Sequence, residues 1–399
     1  SGLAGEKTRS AGPPTITAPG RRNNVKTSVE VVAKRGWLHG RIGAYSRCAA
    51  VVAVLLVLLA WGLVLNVNTG SVEIPASQVF SMVWDAVRYG LGNLVTRGGF
   101  EEQLAGVLDA STASKIIFSI RIPRMLLAGI LGGALAVSGF LLQSFFRNPI
   151  AGPFVLGISS GAKMVVGFTM VFLSPIVPKM SSVGMVVTAF LGSLMAVAFI
   201  LLFSRWVHNM SMLLVIGIMI SYICGAITDF CITFAKEEDI VNLTNWSMGS
   251  FSGASWDSVG YAAVICLVCM VASWLLSKPI GAYALGEGYA QSMGINIKLF
   301  RGVLIVLSSM LSACVTAFSG PISFVGIAIP HITRITLNTS RPAAVIPVSY
   351  LCGAVFCIFC DLLARTVFSP SELAIGTVTS IFGAPVVIYM MLKRRMQKE

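Results

Sequence analysis

The sequence predicts an all-α polytopic membrane protein with about ten transmembrane helices and both termini in the cytoplasm. Three observations lead there. Of 399 residues, 56% are hydrophobic and 11% charged, with mean hydropathy +0.84, whereas a soluble domain carries about 25% charged residues. Apolar runs recur at lengths near the roughly 20 residues that a helix needs to cross a bilayer. Lys and Arg are distributed unevenly over the segments that connect those runs.

The first run is SRCAAVVAVLLVLLAWGLVLN, at 46–66. Others follow at 122–146, 160–175, 183–206, 211–235, 258–277, 299–318, 324–337, 343–367 and 373–392. The run at 324–337 is too short for an ordinary span. NPIAGPFVLGISSG, SGPISFVGIAIPH and AIGTVTSIFGAP interrupt the pattern with Gly and Pro. Non-helical backbone at membrane depth is tolerated only beside protein or a water-filled cavity, and broken elements of this kind point to a transport pathway. The 39 glycines suit closely packed membrane helices.

Residues 1–45 are polar and basic and read as a disordered cytoplasmic tail rather than a signal peptide, leaving a membrane domain at 46–395. With that tail inside, 21 of the 29 Lys and Arg residues fall on inner segments and eight on outer ones. The acids run the other way: Glu73, Asp85, Glu101, Glu102, Asp109, Glu237, Glu238, Asp239, Asp257 and Glu372 are all outside. The formal net charge of +13 is therefore topology signal, because nine of the basic residues lie in 1–47 and four in the last seven. It does not point to a nucleic-acid partner.

An extended external loop occupies 67–120. Within it PASQVFSMVWDAVRYGLGNLV sets Val79, Met82, Val83, Ala86 and Val87 on one helical face, which predicts an amphipathic helix lying at the membrane surface.

The same orientation puts RIPR, residues 121–124, at the outer mouth of the second span. Pro123 suits the first turn of a helix. Arg121 and Arg124 then flank the positive end of the helix dipole, a mildly unfavourable place for cations. Two readings stand: anchoring to lipid headgroup phosphates, or pairing with carboxylates of an outside partner. DLLAR places Asp361 and Arg365 one helical turn apart, either as a simple ion pair or with Asp361 orienting Arg365 outward. ALGEGYAQSMGINIKLF, residues 284–300, forms the longest inner loop and reads as two short helices broken at Gly294. Its Glu287 is either a helix-start residue or part of a docking element for a cytoplasmic protein.

Asp229 is an acid inside the fifth span, with a satisfied hydrogen-bond role as the alternative to function. GISSGAKM lacks the spacing of a phosphate-binding loop, so no nucleotide-hydrolysing motif is read in this chain. His331 reads as structural. The nine cysteines lie in or beside apolar runs with no histidine at ligand spacing, and Cys266 and Cys269 read as packing rather than a metal or redox pair.

Taken together, RIPRMLLAGILGGALAVSGFLLQSFFRNPIAGPFVLGISSGA, WSMGSFSGASW, LGEGYAQSMGINI, SGPISFVGIAIPHITR, DLLART and SELAIGTVTSIFGAP resemble the FecCD-type permeases, in order and spacing. These are the membrane subunits of ATP-binding-cassette importers for iron–siderophore complexes, haem and cobalamin. The resemblance implies a non-catalytic, multi-pass subunit of a bacterial plasma membrane. It implies pairing with a second permease chain, the same or homologous, and work with two cytoplasmic ATPases that bind ATP and Mg. An external substrate-binding protein docks outside, and no cofactor is implied in this chain. It also implies that Arg121, Arg124 and Arg365 meet acidic residues of the binding protein, with Asp361 in support. Gly286, Glu287, Ala290, Ser292 and Gly294 are implied to meet the ATPase, and Asn148, Ile150, Met210 and Ser211 to form inner gates. Iron–siderophore is the first expectation for the cargo and haem the second. The competing class, an ion-coupled secondary transporter, would need midplane carboxylates, for which only Asp229 and Asp361 come forward. A pore would need rings of polar or charged residues, which the sequence does not offer.

Overall fold

A computed structural model describes residues 46–70, 74–75, 77–82, 84, 88, 112–173, 182–204, 206–207, 210–369 and 371–396. The expected tail and most of the external loop lie outside the described residues. The chain separates into residues 1–49 and 50–399, and the architecture below is that of the second unit.

The described residues are helices and short connections, with no strand among them. In chain order they are α1 (Ser46–Asn68), α2 (Thr112–Phe146), α3 (Ile158–Leu173), α4 (Ser182–Ser204), α5 (Met210–Thr233), α6 (Glu237–Met248), α7 (Trp256–Leu275), α8 (Ser277–Leu285), α9 (Glu287–Ser292), α10 (Ile297–Ser319), α11 (Val325–Leu337), α12 (Pro342–Thr366) and α13 (Ile375–Met396). Seven are long and apolar enough to cross a membrane: α1, α2, α4, α5, α7, α10 and α12. The remaining three expected segments are the shorter apolar helices, Ile158–Leu173, Val325–Leu337 and Ile375–Tyr389. Each of the ten expected segments thus has its helix. Between the fifth and sixth expected spans lies one more, α6, which opens on Glu237, Glu238 and Asp239 in its first turn. Acids there suit the positive end of its dipole.

The centre of the bundle is α2, which packs along α12, α10, α11 and α7. In its most apolar window 89% of residues are buried, against 6% for α1. Its sequence explains this position, since Gly132, Gly133 and Gly139 leave room for neighbouring backbones and Gly129 for the Ile358 side chain. A Cβ on Gly132 would lie 2.5 Å from the Gly353 carbonyl oxygen of α12. One on Gly139 would run into the backbone of Gly326 on α11. The same device joins α3 to α4 at Gly161 and Gly192. Small residues at these seams let helices pack by dispersion where lipid leaves little hydrophobic driving force. Ser138 adds a polar tie, donating to the Ser308 carbonyl at 2.7 Å and meeting Ser312 Oγ at 2.6 Å on α10.

Contrary to the sequence reading, α2 does not begin at 122 with Pro123 in its first turn. It begins at Thr112 and passes through a π-helical stretch, Ile116–Arg121, in which the Ile122 N–H reaches back five residues to the Ile117 carbonyl. A proline inside an α-helix lacks the N–H and collides with the carbonyl four residues back. Widening the helix just ahead of Pro123 relieves that collision. The Phe118 carbonyl, five residues before Pro123, has no N–H to receive from it, and the Trp256 indole donates there instead at 2.9 Å. Arg121 and Arg124 therefore sit inside a continuous helix, and the expected dipole penalty does not apply to them.

Residues 77–82 are helical, as the amphipathic pattern predicts, but their apolar face meets protein rather than lying free at the membrane surface. Val79 is buried against Val67, Ile74, Ile117, Phe118 and Met125, and Met82 packs on the same cluster. Phe80 and Trp84 are exposed and stack on each other. Val83, Ala86 and Val87 lie outside the described residues.

Candidate functional site

By the charge-derived orientation, the outer end of the bundle gathers Arg121 and Arg124 of α2, Arg365 of α12, the last turn of α1 and the α12–α13 connection. The carbonyls at the end of α1 have no helical donors and carry the negative end of its dipole. Two guanidiniums occupy that place. Arg121 donates to the Val67 carbonyl at 2.6 Å. Arg365 donates to the carbonyl and the side-chain oxygen of Asn66 at 2.5 and 2.7 Å. Asn66 in turn donates to the Gly62 and Ile358 carbonyls, knitting α1 to α12. Gly70 leaves space for Arg121, whose guanidinium would lie 2.6 Å from an added Cβ.

Arg124 holds two carboxylates. Its Nε and Nη2 donate to Asp361 at 2.9–3.1 Å, and its Nη1 donates to the two oxygens of Glu372 at 3.0 and 3.1 Å. The Asp361 side chain is 2% exposed and the Glu372 side chain 46%. Asp361 thus pairs across helices with Arg124, and not with Arg365 one turn along, because both α2 and α12 face the same seam. This corrects the expected Asp361–Arg365 pair. Arg121 and Arg124 are only 4% and 7% exposed, so in this conformation they brace helices and do not stand free at the surface. Arg365 retains a buried Nε with no hydrogen-bond partner. Glu372 and Asn66 were not singled out by sequence reasoning. Glu372 follows Asp361 by eleven residues beyond a helix end, where no periodicity relates them.

At the inner end, α2 closes on Arg147 in the left-handed conformation, φ 50°. Arg147 lies 4.5 Å from the centre of the Tyr283 ring, donates to the Tyr283 carbonyl at 3.0 Å and approaches Glu287 to 3.9 Å. Arg301 of α10 forms an ion pair with Glu287, and its Nε donates to the Tyr283 hydroxyl at 3.3 Å. That hydroxyl donates onward to Glu287 Oε1 at 3.3 Å. Glu287 is therefore the knot that ties α9 to α8, α10 and the end of α2. Tyr283 is fully buried, so this knot is set firmly.

The inner connection does hold two short helices, α8 and α9, but they are broken at Gly286 and not at Gly294, which instead separates α9 from the long α10. Gly286 at φ 138° and Gly294 at φ 81° bracket α9 with conformations that side chains rarely adopt. Ala290 is fully buried, which corrects its placement on the cytoplasmic surface: it faces the bundle because Glu287, one turn earlier, does. The outward face carries Leu285, Tyr289 and Met293, exposed by 72%, 51% and 59%, with Ser292 and Gly294 beside them. Their spacing of four residues was a readable signal that the acid and the glycines overshadowed.

The expected gate residues fall on two connections. Asn148 closes a tight turn after α2, its side chain accepting from the Ile150 N–H at 3.1 Å and its carbonyl from the Ala151 N–H at 3.1 Å, with Ile150 exposed. Met210 and Ser211 open α5, where Ser211 is exposed and the Met210 side chain lies outside the described residues. A cleft of about 440 Å3 runs beside that second connection, lined by Val207 and Leu213 on one side and Gln291, Lys298 and Arg301 on the other. It brings the start of α5 next to α9. The structure does not bring Asn148 or Ile150 into that cleft, nor Asp229 into either cluster. Among the described residues no group of three His, Cys, Asp or Glu side chains is arranged to hold a metal ion.

Comparison with known proteins places this arrangement. A family model described as the FecCD transport family matches residues 48–393. The hemin transport system permease protein HmuU of Yersinia pestis is 35% identical over 284 residues, which are 71% of this chain and 85% of that protein. The vitamin B12 import system permease protein BtuC of Klebsiella pneumoniae is 34% identical over 283 residues, 70% of this chain and 83% of that protein. A solved metal-chelate type ABC transporter in an inward-facing conformation superposes with TM-score 0.72 at 26% identity, covering 86% of this chain and 99% of its own. With the family match spanning almost the whole membrane domain, this multi-pass membrane chain belongs to the FecCD transport family.

Proposed function

We propose that this chain is the permease subunit of an ATP-driven importer that takes a bulky metal chelate from an external binding protein and passes it inward. The observation that carries the proposal is α9: a short cytoplasmic helix between two positive-φ glycines, exposing Tyr289 between exposed Leu285 and Met293 just beyond its ends and tied through Glu287 to α2 and α10. An exposed apolar patch rimmed by polar groups marks a protein contact. Here the partner is a cytoplasmic ATPase, one under each of two permease chains, and Gly286, Glu287, Ser292 and Gly294 shape the contact without supplying its apolar area. Force arriving at α9 reaches the membrane helices through Glu287.

On the outer side the cluster of Arg121, Arg124 and Arg365, held by Asp361, receives carboxylates of the binding protein. On the inner side Asn148, Ile150, Met210 and Ser211 stand at the exits. The cargo is an iron–siderophore first and haem second. The hemin and vitamin B12 relatives support the size class, since porphyrin and corrin chelates are comparably bulky.

The test is uptake into proteoliposomes holding the permease, its co-purified ATPase and the binding protein, offered ferric siderophore, haemin or cobalamin. Uptake of one of these should require ATP and stop when the ATPase is inactivated. Uptake that persists with an inactive ATPase refutes the proposal.

A further inference from the structure

We propose that Glu372 is an internal stand-in for a carboxylate of the external partner, seated on Arg124 until docking displaces it. The inference rests on the docking reading above and adds a competitor to it. The two carboxylates on Arg124 are not equivalent. Asp361 takes Nε and Nη2 from within the bundle and is 2% exposed, whereas Glu372 takes Nη1 from the outer side and is 46% exposed. Exposed ion pairs contribute little to stability, while a buried one is expensive to break. Asp361 therefore stays, and Glu372 is the partner that can leave.

The backbone around Glu372 permits this. The residue lies in the connection between α12 and α13, outside any helix, and the neighbouring Leu373 N–H is fastened to the Ala364 carbonyl at 2.8 Å. The side chain can swing to solvent while the chain on its C-terminal side stays anchored. One donor of the cluster points the same way: Arg365 Nε is buried without an acceptor even with Glu372 in place. With Glu372 withdrawn, Arg124 Nη1 becomes open to a carboxylate arriving from outside.

The experiment measures binding of the uptake-supporting binding protein to the complete permease–ATPase complex in nanodiscs. Glu372→Gln should tighten binding by roughly three- to tenfold at low salt, and the gain should vanish in an Arg124→Gln/Asp361→Asn background, where Glu372 has lost the guanidinium it occupies. Tightening that persists in that background means only diffuse repulsion and overturns the stand-in. Where the neutral pair does not assemble, Glu372→Asp decides. It keeps the charge but draws it back from Arg124, so the stand-in expects tighter binding and repulsion expects none. If Glu372→Gln changes nothing while Arg365→Gln weakens binding, the stand-in is wrong and the docking reading survives. If neither substitution nor the neutral pair moves binding, the docking reading fails and takes the stand-in with it.

Discussion

Replacing Arg124 with alanine should damage the protein more through its fold than through any lost outer contact. Three hydrogen bonds at 2.9–3.1 Å join Arg124 to Asp361, and the Asp361 side chain is 2% exposed. Removing one partner of a buried pair leaves an uncompensated charge and costs about 3–5 kcal/mol. At about 1.4 kcal/mol per tenfold, the folded-to-unfolded ratio falls by roughly two to four orders of magnitude. Glu372 adds little to that loss, because its side chain is 46% exposed and water can take over. Replacing both buried groups with apolar side chains, Arg124→Met with Asp361→Leu, should recover most of the stability, since a buried pair often exchanges for apolar packing at small cost. The assay is the monodisperse fraction of detergent-solubilised permease after graded heating, compared across wild type, single and double variants. A single variant as stable as wild type, or a double variant no better than the single, refutes the reasoning.

Gly139→Val should lower stability by about 1–3 kcal/mol or prevent assembly, because its Cβ meets the Gly326 backbone rather than a movable side chain; the same heating series reads it. Trp256→Phe keeps the ring but orphans the Phe118 carbonyl, at about 1–3 kcal/mol, and unchanged thermal stability would count against the π-helical account of α2. Tyr289→Asp with Met293→Asp should abolish co-purification of the ATPase while leaving the permease monodisperse. Arg301→Gln, which loosens Glu287 without touching the exposed face, should leave ATPase attached but lower the uptake obtained per ATP hydrolysed; unaltered coupling would remove Glu287 from the transmission path.

Most of the fold could be read because membrane helices announce themselves by length and hydropathy, and the charge asymmetry orients them. What escaped was set by contacts between segments far apart in sequence. The helical continuation ahead of Pro123 depends on a π-helical detour and on Trp256 from another helix, neither of which is a local pattern. Arg124 and Asp361 were both noticed, but i, i+4 spacing favoured Arg365 as the partner, and only the Gly132–Gly353 seam, which draws α2 against α12, explains the pairing found. Glu287 was noted as the lone acid of an inner loop. Its partners Arg147, Tyr283 and Arg301 come from three different elements, so composition could not select them. α6 went unread because its twelve residues mix polar with apolar side chains and are too few for a span-like signal.

The glycine seams of α2 bear on how motion can pass through the bundle. At Gly132–Gly353 and Gly139–Gly326, α2 meets α12 and α11 backbone to backbone with no side chain between, so a displacement of one helix bears directly on its neighbour. The regular part of α2 is 25 residues, a rod of roughly 37 Å at 1.5 Å per residue. Arg147 is at one end of that rod and Arg121 and Arg124 at the other. On the proposed function, a tilt entering through Glu287 at the inner end travels to the arginines of the outer end along this one helix. On that reading the two proposed docking surfaces are the two ends of a single helix, which joins them by the shortest path through the bundle.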